Sequence, residues 1–165
     1  MSYDVEIMRI GALALFDLKG AKSAVQDWAG DALPPFPQYP NTMTLRDGIN
    51  LAHIGRDHWL VLAPLDFEST LETALKPTQA PVDISVVKTS DTQCFFALTG
   101  PGADQICAIA SPLDTHGSVF PEHGISFTEC FGLKALIARQ PGGFWLAVEQ
   151  SFGDMVEDYL TRAIS

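Results

Sequence analysis

Residues 59–75 read WLVLAPLDFESTLETAL, and residues 145–160 read WLAVEQSFGDMVEDYL. Each stretch runs an apolar strand through a polar turn into an amphipathic helix. Trp145-Leu146 follows Trp59-Leu60 by 86 residues, and the helical positions correspond at 85 residues: Phe67 with Phe152, Leu71 with Val156, Leu75 with Leu160. Apolar residues four apart line one face of a helix. We read a unit that occurs twice in one chain.

The copies extend outward from this stretch. Upstream of the first, residues 42–45 and 49–54 alternate as strands around Asp47-Gly48, and Gly55-Arg56-Asp57 turns into the strand at 59–63. Upstream of the second, strands at 125–130, 133–138 and 144–148 turn at Gly132 and at Pro141-Gly142-Gly143. Further out, residues 3–9 and 12–18 read as strands before a helix at 20–30. Residues 82–87 and 92–98 read as strands before a helix at 101–110. Leu18-x-Gly20 corresponds to Leu98-x-Gly100, and a proline-containing loop follows each of these helices, at 31–41 and 111–124.

Each half is therefore β-β-α-loop-β-β-β-α, and the fold class is α+β. We expect a single domain, 1–165, built from two pseudo-repeats at about 1–80 and 81–165, with 77–82 as a short connector. A half of ~80 residues buries too little surface to be very stable alone. The two sheets are thus expected to pack together or exchange strands to share a core. Asp66 is a candidate N-cap for the helix at 66–76. Ser151 and Asp154 have the spacing of a capping box before the last helix.

Composition narrows the functional class. With 47% apolar and 18% charged residues among 165, the chain can bury a core. No apolar run approaches the ~20 residues of a membrane helix. Residues 1–9 carry Asp4 and Glu6 and lack the basic, then apolar, order of a secretory signal. A cytoplasmic protein is expected. The net charge of −10 is spread along the chain, and no basic cluster exists to meet phosphates, so nucleic acid is not an expected partner. Cys94, Cys107 and Cys130 are odd in number, far apart and without C-x-x-C spacing. They read as small buried hydrophobes.

The residues around the quoted stretch also carry a family resemblance. Leu33-Pro34-Pro35-Phe36-Pro37, Asn41-Thr42 and the run from His53 to Pro64 resemble the N-terminal half of the gamma subunits of heterotetrameric sarcosine oxidase. Leu98-Thr99-Gly100-Pro101-Gly102-Ala103, the segment from Ser111 to His116, Phe120-Pro121 and Ser151-Phe152 are similar to later segments of that family. The likeness spans residues 30–162. It departs at Arg56 and His58, where the family tends to have Pro and Glu. The family is in turn similar to the folate-binding domain of aminomethyltransferases, which implies duplicated β2-α-β3-α units that exchange their first strands. It further implies partners, alpha and beta subunits with a small delta subunit in some complexes. Those subunits hold FAD, FMN and NAD, and tetrahydrofolate accepts the one-carbon unit when sarcosine or a related N-methyl amine is demethylated. The gamma chain would support assembly, binding no cofactor itself.

The candidate chemistry in this chain is sparse. Gly100-Pro101-Gly102 lies between strand and helix but has neither G-x-G-x-x-G nor a Walker lysine, so it reads as a tight turn. Asp114, His116, Glu122 and His123 could ligate a cation, but their spacing matches no metal signature. His53 and His58 flank a hairpin turn and should point to different faces. No nucleophile motif is present, and cysteines inside strands and helices stay protonated. The expected catalytic, cofactor-binding and metal residues are none. What remains is a stiff loop, Pro34 to Pro40, with Phe36 and Tyr39. Pro35, Phe36, Pro37 and Tyr39, with Phe120 and Pro121 of the second loop, are the expected subunit contact, unless these residues close over the chain's own core. Two other readings stand beside the subunit: a stand-alone tetrahydrofolate-binding or one-carbon-transfer module, and a homo-oligomeric scaffold.

Overall fold

The polar turn between two β-branched and aromatic runs favours a hairpin, and the described residues form such hairpins and four α-helices. The computed structural model describes residues 3–165. In chain order the elements are β1 (Glu6–Ile10), β2 (Leu13–Lys19), α1 (Lys22–Ala29), β3 (Met43–Arg46), β4 (Ile49–Gly55), β5 (His58–Pro64) and α2 (Glu68–Leu75). Then come β6 (Ser85–Lys88), β7 (Gln93–Thr99), α3 (Ala103–Ala110), β8 (Ile125–Cys130), β9 (Leu133–Gln140), β10 (Gly143–Glu149) and α4 (Gly153–Ala163). The fold is α+β, with two antiparallel five-stranded sheets in the orders β1-β7-β10-β9-β8 and β3-β4-β5-β2-β6.

The strand orders reveal an exchange. β1 pairs with β7, and β6 pairs with β2. The chain accordingly divides into a central unit, Ala12–Asp91, and a terminal unit made of the stretch ending at Gly11 together with Thr92–Ser165. These units cut across the stretches 1–80 and 81–165, because each stretch has its first strand in the other's sheet.

Each unit has its own apolar cluster between sheet and helices. In the central unit Phe16, Leu18, Leu51, Trp59 and Val61 meet Val25, Leu71 and Leu75. In the terminal unit Phe96, Leu98, Ile137, Phe144 and Leu146 meet Ile106, Cys107, Val156 and Leu160. Tyr3, Val5 and Ile7, the face read from alternation, pack against the terminal cluster. Burying a Phe or Leu side chain fully contributes about 1.5–3 kcal/mol.

Register corrects one correspondence read from the sequence. Leu18 lies opposite Trp59, and Leu98 lies opposite Phe144. The position corresponding to Trp59 is thus Phe144 and not Trp145. Trp59 and Phe144 are both buried in their clusters. Trp145 points to the other face, where its ring meets Phe95 at 6.3 Å. A slip of one residue reverses every side chain of a strand.

The exchanged strands are held in corresponding ways. Gly20 and Gly100 close β2 and β7 at φ +143 and +124, a region side chains avoid. A Cβ on Gly20 would come 2.7 Å from Ile84 Cγ2, and one on Gly100 would come 2.7 Å from Asp4 O. Further along, Arg9 Nη1 of β1 lies 2.6 Å from Asp154 Oδ1 and 3.1 Å from Glu157 Oε2 of α4. Lys88 Nζ of β6 lies 2.9 Å from Glu72 Oε2 and 3.7 Å from Glu68 Oε1 of α2. These bonds push both cations' pKa values up, Arg9 through Asp154 first and Lys88 through Glu72 first.

The expected helix caps are replaced. A turn of 3-10 helix precedes both α2 and α4, so Phe67 and Phe152 occupy the cap positions and Asp66 lies within the turn. Ser151 Oγ instead donates to Glu149 Oε1 at 2.9 Å, and Asp154 takes Arg9.

Candidate functional site

Each proline-containing loop lays a phenylalanine on a ring of its own cluster, Phe36 on Trp59 and Phe120 on Phe144, and each is held by side chains from the neighbouring strands. In the central unit, Arg46 Nη2 donates to Asp31 O at 2.6 Å and Leu33 O at 2.5 Å. Thr44 Oγ1 donates to Pro35 O, and Thr42 Oγ1 to Tyr39 O. Under the loop, Phe36 meets Trp59 edge-on at 4.9 Å, and His53 stacks on Trp59 at 4.3 Å. His53 Nδ1 is enclosed without a hydrogen-bond partner among the described residues.

In the terminal unit Arg139 takes the place of His53. His53 lies across from Trp59, and Arg139 lies across from Phe144. The Arg139 guanidinium sits 4.8 Å from the Phe144 ring and 5.7 Å from Phe120. Its Nε donates to Phe120 O at 3.0 Å and its Nη2 to Thr115 O. The planar cation is well suited to both tasks at once. The sequence reading missed Arg139 and Arg46. The available signal was a lone arginine at the end of an apolar strand facing a loop rich in carbonyls.

The six residues expected at a subunit contact therefore divide. Phe36 is 9% exposed, and Phe120 is 4% exposed. Both close over their own clusters, because Trp59 and Phe144 offer ring faces directly below them. Pro37 is buried as well. Pro35, Tyr39 and Pro121 stand exposed, Tyr39 at 69%. The loop thus presents a tyrosine on a backbone already fixed by prolines and hydrogen bonds.

The other singled-out residues serve local structure. Asp114 Oδ1 accepts from the His116 amide at 2.9 Å, and His116 Nδ1 lies 2.8 Å from Ser118 Oγ. Glu122 and His123 are exposed. Among the described residues no three metal-ligating side chains converge. The Gly102 amide donates to Asp4 O at 2.8 Å, so the segment leading into β1 occupies the Gly100-Pro101-Gly102 turn. His58 Nε2 lies 2.7 Å from Asp17 Oδ2 on the sheet face turned away from the helices. His53, under its loop, faces the other way, as the turn spacing implies.

All three cysteines are free and buried. Burial pushes the Cys107 and Cys130 thiols up to about 12. Burial also raises Cys94, against the pull of Arg9. Thiols held in this way pack and do not attack. No described helix is long and apolar enough to cross a membrane.

No protein-family model and no curated protein matches the chain. The fold is nevertheless found in solved structures. It is similar to a chain of heterotetrameric sarcosine oxidase. That enzyme, from Corynebacterium sp. U-96 in complex with pyrrole 2-carboxylate, matches at a TM-score of 0.82 with 20% identity, over 99% of this chain and 85% of that one. The glycine cleavage system aminomethyltransferase T from Bartonella henselae matches at a TM-score of 0.68 with 16% identity. The likeness takes in 96% of this chain and 46% of the aminomethyltransferase, so this chain spans about half that enzyme's length. At these identities the shared property is the fold.

Proposed function

We propose that this chain is a non-catalytic, structural subunit of a flavin-dependent assembly similar to heterotetrameric sarcosine oxidase, in the place of its gamma subunit. The observation that carries this reading is the fold shared with a chain of that enzyme over 99% of the present chain. It agrees with the independent resemblance of the segments from Leu33 to Pro64 and from Leu98 to Phe152. The two halves would have arisen by duplication of a β2-α-β3-α unit and work as one domain in the cytoplasm. The larger partner subunits would carry FAD, FMN and NAD, use tetrahydrofolate, and oxidise sarcosine or a related N-methyl amine. The surface offered to them includes Pro35, Tyr39 and Pro121, on loops that lose little entropy on docking.

The chain's tagged form, purified from its native cells, should bring down two large flavin-bearing chains at fixed stoichiometry. Flavin absorbance in the eluate reads the result directly, and an eluate without flavin counts against the reading. The likeness to an aminomethyltransferase favours one competing reading, a folate-binding module. Millimolar tetrahydrofolate would then raise the melting temperature of the isolated chain by mass action. The subunit reading expects no shift.

A further inference from the structure

One enclosed polar atom, His53 Nδ1, makes no hydrogen bond among the described residues. Buried polar groups are almost always bonded, so an exception in a native fold calls for a reason. The terminal unit supplies the comparison. Arg139 lies across from Phe144 as His53 lies across from Trp59, and both are half-buried. The Arg139 cation rests on the Phe144 ring and donates from Nε to Phe120 O, the carbonyl of the loop phenylalanine. In the central unit that phenylalanine is Phe36, and His53 stacks on Trp59 at 4.3 Å. Arg46, Thr44 and Thr42 take the carbonyls of Leu33, Pro35 and Tyr39 and leave that of Phe36. The fold thus seats a cation at this place in one unit, and in the other it seats a group that can be charged or neutral. Histidine changes charge between about pH 5 and pH 8, whereas arginine stays charged.

The neighbours of His53 on every element of the cluster are apolar, exposed or already engaged. Ile49 and Leu51 share its side of β4, and Val61 and Ala63 share the side of Trp59 on β5. β3 turns Arg46 to the same side, about 13 Å along the strand, where it holds Asp31 O and Leu33 O. Between residues 32 and 42 the loop has no carboxylate, and its titratable group is the exposed Tyr39 phenol. Asp31 is exposed, as are Lys22 and Asp27 of α1 and Arg56 and Asp57 of the turn after β4. Glu68 and Glu72 of α2 engage Lys88, and His58 lies on the opposite face with Asp17. The ring of Trp59 and the Phe36 carbonyl are the groups left to receive a charge on His53.

We propose that His53 is a pH-dependent latch on the 31–41 loop: when protonated, it lies as a cation on Trp59 and donates from Nδ1 to Phe36 O. A charged imidazole carries a donor on both nitrogens, so Nδ1 gains the partner it lacks. A cation over tryptophan is the best pairing of its kind, and the bond to the carbonyl is charge-assisted. The sign follows. The latch is closed at acid pH, and as pH rises the ring gives up its proton, the strengthening charge is lost and the segment carrying Phe36 and Tyr39 loosens. The unpartnered Nδ1 is the discharged state. The latch belongs to the isolated chain and stands or falls apart from the subunit reading.

NMR of the full-length chain, labelled with nitrogen and carbon isotopes, tests this at about pH 5.5 and about pH 8, near the two ends of the histidine range. At the lower pH the His53 Nδ1–H should give a slowly exchanging signal coupled across a hydrogen bond to the Phe36 carbonyl carbon. The Asn41 amide donates to His53 O and the His53 amide to Thr42 O, so both report loop closure. Their protection factors should be at least about fivefold higher at the lower pH, the effect of one net hydrogen bond. His53→Arg should show the higher protection at both pH values, and His53→Phe, which keeps a ring on Trp59, should show no pH dependence. Equal wild-type protection at both pH values, lower protection at the acid pH, an Nδ1–H bonded to another acceptor, or an unchanged pH dependence in His53→Phe would each overturn the proposal. The wild-type measurements decide the matter even where a variant fails to fold.

Discussion

Replacing Gly100 by alanine tests the exchange of strands directly. Gly100 sits at φ +124, and an added Cβ would lie 2.7 Å from Asp4 O and 3.3 Å from Val5 Cα. Both are backbone atoms at the start of the exchanged segment, so rotating a side chain cannot relieve them. Placing an L-residue in the positive-φ region costs about 1–2 kcal/mol. Overpacking adds about 1–3 kcal/mol. If Asp4 moves away, the bond from the Gly102 amide to Asp4 O is lost as well, at about 1 kcal/mol. The expected loss is about 3–6 kcal/mol, a large part of the ~5–15 kcal/mol that holds a typical protein. Gly20→Ala should cost less, because its nearest contact at 2.7 Å is the Ile84 side chain, which can turn away. Urea denaturation gives the two energies, and hydrogen exchange locates them. Gly100→Ala should speed exchange in Glu6–Ile10 and Gln93–Thr99 while leaving Leu13–Lys19 protected. A loss within about 0.5 kcal/mol of zero, the range of neutral surface changes, with β1 still protected, would refute the reasoning.

Other expectations follow from the same geometry. Phe36→Ala and Phe120→Ala should each cost about 3–5 kcal/mol by urea denaturation, whereas Tyr39→Ala should stay within about 0.5 kcal/mol and still weaken assembly. The Cys107 and Cys130 thiols are raised from 9.0 to about 12 by burial, so the unfolded chain ionises first. Their contribution is complete below pH 9 and is lost as pH rises from 9 toward 12. Melting temperatures across that range should fall, and Cys130→Ala should flatten the decline. The fragment 12–91 contains a whole five-stranded sheet with its helices, and it should unfold cooperatively by circular dichroism. Removing residues 1–10 should instead loosen β7 and α4, because β1 is the edge strand beside them and Arg9 bonds to α4; unchanged exchange there would contradict the assignment of β1.

Local pattern made most elements legible. Alternation over residues 125–130 gives the bounds that β8 has, and the helical spacing at 20–30 and 66–76 contains α1 and α2. The reading strained where distant partners decide the outcome. Trp59 and Trp145 looked equivalent by identity, and only the opposite residues, Leu18 and Leu98, showed that Phe144 is the counterpart. Asp66 and Ser151 looked like caps, and a leading 3-10 turn displaced them. At the candidate contact, the stiffness of the loop was readable from Pro34 to Pro40. Which of its aromatics face inward was not, because that depends on the ring beneath Phe36, contributed by Trp59 from a strand more than twenty residues away.

The amino-acid order alone determined the α+β element sequence, the hairpin turns and the buried status of the cysteines. Spacing of two or four residues encodes which face of an element is apolar, and that information is local. The tertiary structure decided which sheet each first strand joins, that Phe36 and Phe120 are covered while Tyr39 is open, and that Arg139 and His53 occupy corresponding places. Those outcomes depend on backbone hydrogen bonds and ring contacts between residues far apart in the chain, which any edge strand or aromatic could satisfy until the packing of the others selects one.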